Sequence, residues 1–217
     1  MKKSIDVLLV DDHAVVRTGY RLLLSQSEGV NRVIEAETGE QACQKYLEIN
    51  PSVVVMDLSL PGIGGLASIR RIISRDPNAR ILVFSIHNEL VYVTRALEAG
   101  AKGYITKSCA PEMLVDAVHS IVQNKLFLEP EIVQRLAADR FTSKHTSDLD
   151  VLSGREFEVF CLMAKGHTTQ EAADKLHLSI KTVANYNTLV KSKLSAKTSA
   201  DLTRIAYKSG LFNDQPG

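Results

Sequence analysis

Three aspartates follow short apolar runs, a pattern that suggests chemistry with a phosphoryl group. Asp11 and Asp12 come directly after Val7–Val10, and Asp57 comes directly after Val53–Met56. Carboxylates brought close together repel one another, and a divalent cation relieves that repulsion. Mg²⁺ prefers oxygen ligands and binds through one or two carboxylates together with a phosphate. An aspartate can also attack a phosphoryl group and hold it as an acyl phosphate.

Two further polar residues stand at comparable places. Ser85 ends the apolar run that starts at Ile81, and Lys107 follows Gly103–Ile105. A lysine neutralises the equatorial phosphoryl oxygens during transfer, and a hydroxyl can donate to one of them. Each residue alone has a simpler interpretation, because an aspartate pair often caps a helix and a single lysine is usually solvated. The hypothesis therefore depends on the combination.

These residues predict a composite site. We expect Mg²⁺ to bind Asp12, Asp57 and a backbone carbonyl just after Asp57, that of Ser59, with Asp11 assisting from behind these ligands. Asp57 is the predicted phosphoryl acceptor. Lys107 and Ser85 are predicted to stabilise the bound phosphoryl group.

The elements that must position this site are short β-branched runs alternating with amphipathic helical segments. The runs lie at 5–10, 32–36, 53–56, 80–84 and 103–105, and the helical segments lie near 14–26, 39–49, 64–75, 89–99 and 111–124. Nearly continuous apolar runs are typical of parallel strands covered on both faces. The pattern predicts a doubly wound, five-stranded parallel α/β sheet of flavodoxin-like order 2-1-3-4-5. In that order the strands that carry the aspartates are adjacent, and function collects at their carboxyl ends.

The chain from Gly154 onward has no strand-like run, and its pattern predicts an all-α domain of four helices near 153–164, 168–176, 179–194 and 199–209. Thr168 and Glu171 have the spacing of a capping box before a short helix. A tight turn and a longer helix from Ile180 follow, which are the proportions of a helix-turn-helix. On the longer helix a 3–4 spacing predicts that one stripe faces the core: Ile180, Val183, Tyr186 or Asn187, Val190 and Leu194.

The polar residues off that apolar stripe are the candidate DNA contacts. Asn can pair with adenine, Thr can contact a thymine methyl, and Lys can reach guanine or phosphate. Residues 180–208 hold six Lys or Arg against Asp201 alone, which gives a local basic face. The alternative is a solvated amphipathic helix. The predicted contacts are Lys181, Thr182, Ala184, Asn185, Thr188, Lys191 and Lys193.

The domain limits follow from this change of pattern. We predict a phospho-acceptor domain at 1–126, a linker at 127–150 in which 130–140 could form a helix, and a DNA-binding domain at 151–217. Thr142–Asp148 is polar and has the composition of a flexible linker.

The overall composition constrains the setting rather than the function. The formal net charge is only +1, so a DNA partner must be argued from local features. No apolar run approaches the ~18 residues that a membrane span needs, and the start lacks the apolar stretch of a signal peptide. The three cysteines, Cys43, Cys109 and Cys161, are far apart and favour free thiols. We therefore expect a cytoplasmic protein with no membrane partner.

Residues 5–125 resemble the receiver domain of two-component response regulators. The matching stretches are Val10–His13, Met56–Gly65, Phe84–Ser85 and Ala99–Lys107. The resemblance implies that a partner histidine kinase phosphorylates Asp57. It also implies that Ser85 and Tyr104 form a switch pair, in which the hydroxyl moves toward the phosphoryl group and the ring follows inward. Ser85 stands where threonine is commoner.

The segment from Leu152 to Leu211 resembles the LuxR-type DNA-binding domain of the NarL/FixJ family. The resemblance is carried by Leu152–Glu156, Ala164–Gly166, Leu178–Val183, Lys193–Leu194 and Ala206–Leu211. Ala184 replaces a usual lysine, and Asn187 stands where a basic residue is common. Fewer phosphate contacts would make DNA binding less dependent on salt.

The combined prediction is a response regulator rather than an enzyme. Phosphorylation of Asp57 by a cognate sensor histidine kinase, with Mg²⁺, would control binding to double-stranded DNA and hence transcription. The phosphorylated protein is expected to form a homodimer. One alternative is a DNA-binding regulator whose receiver is controlled by a partner rather than by phosphorylation. A phosphatase is disfavoured because Ser59 occupies the place of the acid that such an enzyme needs, and an adaptor without DNA binding is the remaining alternative.

Overall fold

The structure is a computed structural model that describes residues 4–142 and 148–212, without the side chains of 139–142 and 148. The described residues divide into two compact units, the first made of 4–88 and 92–134, the second of 89–91 and the described residues from 135 onward. Within the described residues, no helix combines the length and the apolar composition that crossing a membrane requires.

The first unit is built on a parallel sheet. Its strands are β1 (Ile5–Val10), β2 (Val30–Ala36), β3 (Val53–Met56), β4 (Ile81–Ser85), β5 (Gly103–Thr106) and β6 (Phe127–Leu128). They lie in the order β2-β1-β3-β4-β5-β6, and every pair is parallel. The predicted fold class and the order of the first five strands are confirmed.

Five helices connect these strands. They are α1 (Ala14–Ser25), α2 (Gly39–Ile49), α3 (Gly65–Arg75), α4 (Leu90–Glu98) and α5 (Pro111–Val122). The central strands are buried along their whole length, as the continuous apolar runs predicted. Side chains from β1, β3, β4 and α5 share one core, in which Leu9, Val55, Phe84 and Ile121 are almost inaccessible.

The sixth strand was not predicted. β6 extends the sheet by pairing Gly103 with Phe127 and Tyr104 with Leu128. Its register continues through Glu129, whose backbone N–H donates to the Tyr104 carbonyl at 3.1 Å. Two residues are too few to show the alternation on which a strand prediction depends. The start of the predicted linker is therefore an edge strand of the sheet.

The rest of the predicted linker is divided between described and undescribed residues. A helix, α6, spans Pro130–Thr142. Residues 143–147, in which the flexible stretch was predicted, lie outside the described residues. The domain limits at 126 and 151 stay a prediction.

Beyond α6, four α-helices follow within the described residues from 148 onward, as predicted. A 3-10 helix at Asp148–Val151 precedes α7 (Gly154–Ala164), α8 (Thr169–Leu176), α9 (Ile180–Lys193) and α10 (Ser199–Lys208). Their core contains Phe157, Phe160, Val183, Val190 and Leu202, each fully buried.

Side-chain caps set where these helices begin. Capping boxes join Ser153 to Glu156 before α7 and Thr168 to Glu171 before α8. Ser179 caps α9 by accepting from the Thr182 N–H at 3.1 Å. Each cap satisfies backbone donors that the first helical turn leaves unpaired.

Candidate functional site

The register of the sheet brings the acidic residues to one edge. β1 and β3 are paired so that Val10 lies beside Met56, and the Asp57 N–H donates to the Val10 carbonyl at 3.0 Å. Asp11 and Asp57 are therefore the first residues beyond two adjacent strands. Both are buried, with 2% exposure each.

Four side chains could share a metal ion at this edge. One ligand atom from each of Asp11, Asp12, His13 and Asp57 lies within 4.8 Å of all the others. The carboxylates are hard oxygen donors, the type that Mg²⁺ takes. His13 was not predicted, and its Nδ1 lies 2.7 Å from Asp12 Oδ1. A histidine directly after two aspartates is the signal that could have suggested it.

Lys107 bridges the two buried aspartates. Its Nζ lies 2.6 Å from Asp11 Oδ2 and 2.7 Å from Asp57 Oδ2. Burial raises the pKa of Asp57, against the opposing effect of the Lys107 ammonium. Burial by itself lowers the pKa of Lys107, but the charges and hydrogen bonds of Asp57 and Asp11 outweigh it, so the pKa is raised. The lysine supplies the positive charge that the crowded carboxylates need.

Ser85 lies next to Lys107. It ends β4, it is fully buried, and its carbonyl accepts from the Lys107 N–H at 2.8 Å. Its hydroxyl lies 3.4 Å from the backbone nitrogen of His87. The ends of four strands, β1, β3, β4 and β5, therefore lie at one edge of the sheet, as predicted from the order of the strands.

Tyr104 and Ser59 both contact His87 on the loop after β4. The Tyr104 ring is fully buried, and its hydroxyl donates to the His87 carbonyl at 2.8 Å. Ser59 Oγ lies 3.2 Å from His87 Nε2, and the Ser59 N–H donates to Asp57 Oδ1 at 3.1 Å. The His87 ring also stacks on Tyr92, with ring centroids 4.0 Å apart. His87 thus connects the loop after Asp57 to the tyrosine of the predicted switch pair.

The loop that carries Ser59 is held from α2. Glu40 Oε1 accepts from the Ile63 N–H at 3.0 Å. Gly62 has a φ of 74°, and a Cβ built on it would lie 2.3 Å from Glu40 Oε2. The glycine therefore provides both the left-handed backbone and the space for the carboxylate. Glu40 was not predicted, since nothing in its local sequence marks a helix residue that caps a distant loop.

The second candidate site is the pair α8 and α9. α8 ends at His177 in the left-handed conformation, with a φ of 52°, and α9 begins at Ile180 after the Ser179 cap. The short turn between a short and a longer helix is that of a helix-turn-helix.

Most of the residues predicted for DNA contact lie on the exposed side of α9, whereas Lys193 forms an ion pair with Glu156. Lys181, Ala184, Asn185 and Thr188 are exposed, and Thr182 and Lys191 are half-buried. Thr182 Oγ1 lies 2.7 Å from Ser179 Oγ. Lys193 Nζ lies 2.7 Å from Glu156 Oε2, so this lysine joins α9 to α7.

The apolar stripe of α9 was predicted correctly at Val183 and Val190 and only in part at Tyr186, Asn187 and Leu194, which are half-buried. Val183 and Val190 are fully buried, but Ile180 is 50% exposed. The expectation that Ile180 faces the core was wrong. It is the first helical residue, and the buried stripe of α9 begins one turn later, at Val183.

Comparison with known families agrees with both sites. The family described as "Response regulator receiver domain" matches residues 7–119. The family described as "Bacterial regulatory proteins, luxR family" matches residues 150–206. The two matches cover the units that contain the acidic cluster and the helix-turn-helix.

Curated relatives match nearly the whole chain. The chain is 40% identical over 208 residues to the transcriptional activator protein ExaE of Pseudomonas putida, covering 95% of this chain and 97% of that protein. It is 37% identical over 210 residues to the response regulator GacA of Pseudomonas aeruginosa, covering 96% and 98%. It is 36% identical over 211 residues to the response regulator UvrY of Escherichia coli, covering 96% of each.

Solved structures lead to the same family. A LuxR-family two-component response regulator from Aurantimonas is 42% identical, with a TM-score of 0.62, and covers 64% of this chain and 99% of that one. RcsB of Salmonella enterica serovar Typhimurium, bound to the promoter rprA in the presence of phosphomimetic BeF₃⁻, is 28% identical with a TM-score of 0.62, covering 94% and 98%. The chain therefore belongs to the NarL/FixJ family of two-component response regulators, transcription regulators in which a receiver domain precedes a LuxR-type helix-turn-helix DNA-binding domain.

Proposed function

We propose that Asp57 accepts a phosphoryl group from a sensor histidine kinase, with Mg²⁺, and that this controls binding of α9 to DNA. The observation that carries the proposal is the position of Lys107 Nζ between Asp57 and Asp11, at 2.7 and 2.6 Å. A buried carboxylate beside a fixed ammonium and further carboxylates is suited to accept a phosphoryl group together with a cation.

The proposed transfer uses side chains at the ends of four strands, β1, β3, β4 and β5. An Asp57 carboxylate oxygen forms the new bond to phosphorus, and the bond from phosphorus to the kinase histidine nitrogen breaks. Lys107 faces the phosphoryl oxygens, and the Ser85 hydroxyl donates to one of them. When bound to Asp12, Asp57 and the Ser59 carbonyl, with Asp11 behind them, Mg²⁺ would supply further positive charge against those oxygens.

The proposed response passes through Ser85 and Tyr104. The Ser85 hydroxyl contacts the His87 N–H, and the His87 carbonyl accepts from the Tyr104 hydroxyl. Movement of the Ser85 hydroxyl toward a phosphoryl group would therefore shift the loop after β4 and its contact with Tyr104. The two side chains therefore share a backbone contact through which they can be coupled. A switch requires an element with two stable arrangements, and the loop after β4 is proposed to be that element.

DNA binding is proposed for the exposed side of α9. Lys181, Ala184, Asn185 and Thr188 lie there, with Thr182 and Lys191 at its margin, and Asn185 is suited to adenine. Lys193 was predicted to reach phosphate, and its ion pair with Glu156 must break or be shared if it does so. A solved RcsB structure contains two dimers bound to two parallel DNAs; it is 30% identical to this chain with a TM-score of 0.58, and the match covers 95% of this chain and 99% of that one. We propose that this chain also binds as a homodimer, with recognition helices about one DNA turn, ~34 Å, apart.

The domain limits and the location complete the proposal. The receiver takes 1–126, the linker 127–150, and the DNA-binding domain 151–217. A DNA partner requires that the protein work in the cytoplasm of a bacterium.

The test of phosphorylation compares Asp57 with Asp6, an aspartate of the same sheet that lies near the start of β1 rather than beyond the end of a strand. Wild type, Asp57→Asn and Asp6→Asn are incubated with Mg²⁺ and radiolabelled acetyl phosphate. Wild type and Asp6→Asn should be labelled, because Asp6 pairs with Arg32 at the far end of β1. Asp57→Asn should not be labelled. Equal labelling of all three would end the assignment.

The test of DNA binding uses a duplex that wild type selects from a random library. Lys181→Ala and Asn185→Ala should weaken binding while leaving labelling of Asp57 intact. Lys208→Ala, an exposed lysine at the end of α10, is the matched control and should bind normally. If Asp57→Asn gives the same DNA binding as phosphorylated wild type, control by a partner protein becomes the better explanation.

A further inference from the structure

Arg17 is a buried cation that the site described above does not use. It lies on α1, and its side chain is 8% exposed. A buried arginine is costly to desolvate unless its donors are satisfied. The partners of its guanidinium therefore indicate its role.

The guanidinium of Arg17 contacts three separate places in the chain. Its Nη1 donates to the Asp11 backbone carbonyl at 2.7 Å. Its Nε donates to Glu35 Oε2 at 2.9 Å, and its Nη2 donates to Glu37 Oε1 at 2.6 Å. The planar fork of arginine suits such a set of fixed acceptors, and a lysine ammonium does not.

With this bond included, every polar atom of Asp11 has a hydrogen-bond partner. The Asp11 N–H donates to the Ala36 carbonyl at 3.1 Å, and Asp11 Oδ1 accepts from the His13 N–H at 2.9 Å. Asp11 Oδ2 accepts from Lys107, and its carbonyl accepts from Arg17. Asp12, the predicted metal ligand, is the next residue, so the Asp11–Asp12 turn is held from α1 and from the end of β2.

We propose that Arg17 is a positioning residue for the Mg²⁺ site. It fixes the turn that carries Asp11 and Asp12 by holding the Asp11 carbonyl, and it is itself oriented by Glu35 and Glu37. The inference rests on the proposed function, because it concerns the cation that the phosphoryl transfer uses.

Two effects of removing Arg17 have opposite signs. Loss of a positive charge near three carboxylates would, taken alone, strengthen cation binding. Loss of the bond to Asp11 would weaken it, because the ligands are no longer held in place. Arg17 is paired with Glu35 and Glu37, and Arg21 Nε lies 2.8 Å from Glu35 Oε1, but removing Arg17 still removes one positive charge from this region. We expect the geometric effect to be the larger one, because residues that orient metal ligands typically change affinity by about 10–100-fold. Arg17→Lys, which keeps the charge, separates the two effects.

The experiment measures Mg²⁺ affinity on the full chain by following amide chemical shifts during a titration, with urea unfolding measured in parallel. Arg17→Met should weaken Mg²⁺ binding about tenfold. Arg17→Lys should show a similar loss, since it restores the charge without the fork. Arg21→Met is the matched control, because Arg21 contacts the same Glu35 carboxylate from a 44% exposed position and should leave Mg²⁺ affinity unchanged.

Other outcomes overturn the inference in distinct ways. Unchanged Mg²⁺ affinity in folded Arg17→Met would show that Arg17 contributes only to stability. Tighter binding, or full recovery in Arg17→Lys, would show that charge rather than position sets the affinity. If Arg17→Met does not fold, Glu37→Ala decides, because Glu37 is 59% exposed and its loss leaves the Glu35 contact in place. We expect Glu37→Ala to weaken Mg²⁺ binding by less than Arg17→Met does, because the Glu35 contact still orients Arg17, and unchanged affinity would contradict the inference.

Failure of the proposed function would be visible separately. In that case wild type itself would bind no Mg²⁺ and take up no label from acetyl phosphate. If wild type does both and the Arg17 variants match it, only the positioning role is lost.

Discussion

Lys107 Nζ lies 2.7 Å from Asp57 Oδ2, although the two residues are 50 positions apart in the chain. The lysine follows β5 and the aspartate follows β3, with β4 between them. The contact therefore reaches across β4, a distance that the long lysine side chain can span. It sets the charge at the proposed phosphorylation site.

Lys107→Met separates cation binding from phosphoryl transfer. The variant leaves two buried carboxylates without their ammonium, and breaking a buried pair of this kind costs about 3–5 kcal/mol. Mg²⁺ should restore part of that stability and should bind more tightly than to wild type, because the negative charge of the cluster is larger. Labelling from acetyl phosphate should nevertheless fall at saturating Mg²⁺.

The measurements are urea unfolding with and without Mg²⁺, and labelling rates. Lys102→Met, which changes an exposed lysine just before β5, is the control. A Lys107→Met variant that is labelled at the wild-type rate would contradict the assigned role.

Gly62 and Glu40 should show coupled effects on stability. Gly62→Ala places a Cβ in a left-handed residue, which costs about 1–2 kcal/mol, and drives it against the Glu40 carboxylate. Glu40→Ala alone loses the hydrogen bond to the Ile63 N–H, worth about 1 kcal/mol. The double variant should be less destabilised than the sum, because removing the carboxylate removes the clash. Urea unfolding of the four proteins tests this, and additive costs would show that the two positions do not meet.

The positions of the aspartates could be predicted from the sequence because they depend on periodicity alone. Asp11 and Asp57 each end an apolar run, and parallel pairing of those runs places their ends together. Lys107 could be included for the same reason. The pattern of strand ends therefore contains the centre of the site.

The residues that hold this centre could not be predicted because their contacts depend on side-chain direction across elements. Arg17 lies within an ordinary amphipathic helix, and nothing local shows that its fork reaches both Asp11 and Glu37. The ion pair of Lys193 with Glu156 likewise joins α9 to α7, and its two residues are 37 positions apart in the chain. β6 was missed because a two-residue strand has no period.

Glu129 should stabilise the pairing of β6 with β5, the strand that precedes Lys107. Its carboxylate oxygen Oε2 accepts from both the N–H and the hydroxyl of Thr106, each at 2.9 Å. Glu129→Ala removes the acceptor of both hydrogen bonds, so the amides of Phe127 and Thr106 should exchange with solvent faster. Glu131→Ala, one helical position into α6, is the control. Hydrogen exchange measured residue by residue decides, and unchanged protection in Glu129→Ala would refute the fastening.

Glu156 should make the second unit sensitive to acid. Burial alone would raise the pKa of Glu156, but hydrogen bonds from Lys193 and Ser153 outweigh it and hold the pKa below the ordinary value of 4.5. A lowered folded-state pKa means that the carboxylate stabilises the fold above pH 4.5, and that this contribution is lost as the pH falls through the folded value. Glu156→Gln should therefore be less stable than wild type at pH 7 by about 1–2 kcal/mol.

The deficit of Glu156→Gln should shrink as the pH is lowered below 4.5, because wild type then loses the same interaction. Amide signals of α7 and α9 during urea unfolding of the full chain report it. Lys193→Met should show the same pH dependence, since it removes the other member of the pair. A deficit that is independent of pH would mean that packing, and not charge, accounts for it.

Ala184 offers a direct test of which side of α9 meets DNA. It is exposed between Lys181 and Thr188, so a lysine placed there would project from the same side of the helix. Each phosphate contact adds about one unit to the slope of log affinity against log salt concentration. Ala184→Lys should therefore bind the selected duplex more tightly at low salt and with a slope steeper by about one. Tyr207→Lys, at an exposed position on α10, adds the same charge elsewhere and should leave the slope unchanged. If Ala184→Lys binds with the wild-type slope, the exposed side of α9 does not lie along the DNA, and the recognition surface must be sought on another helix.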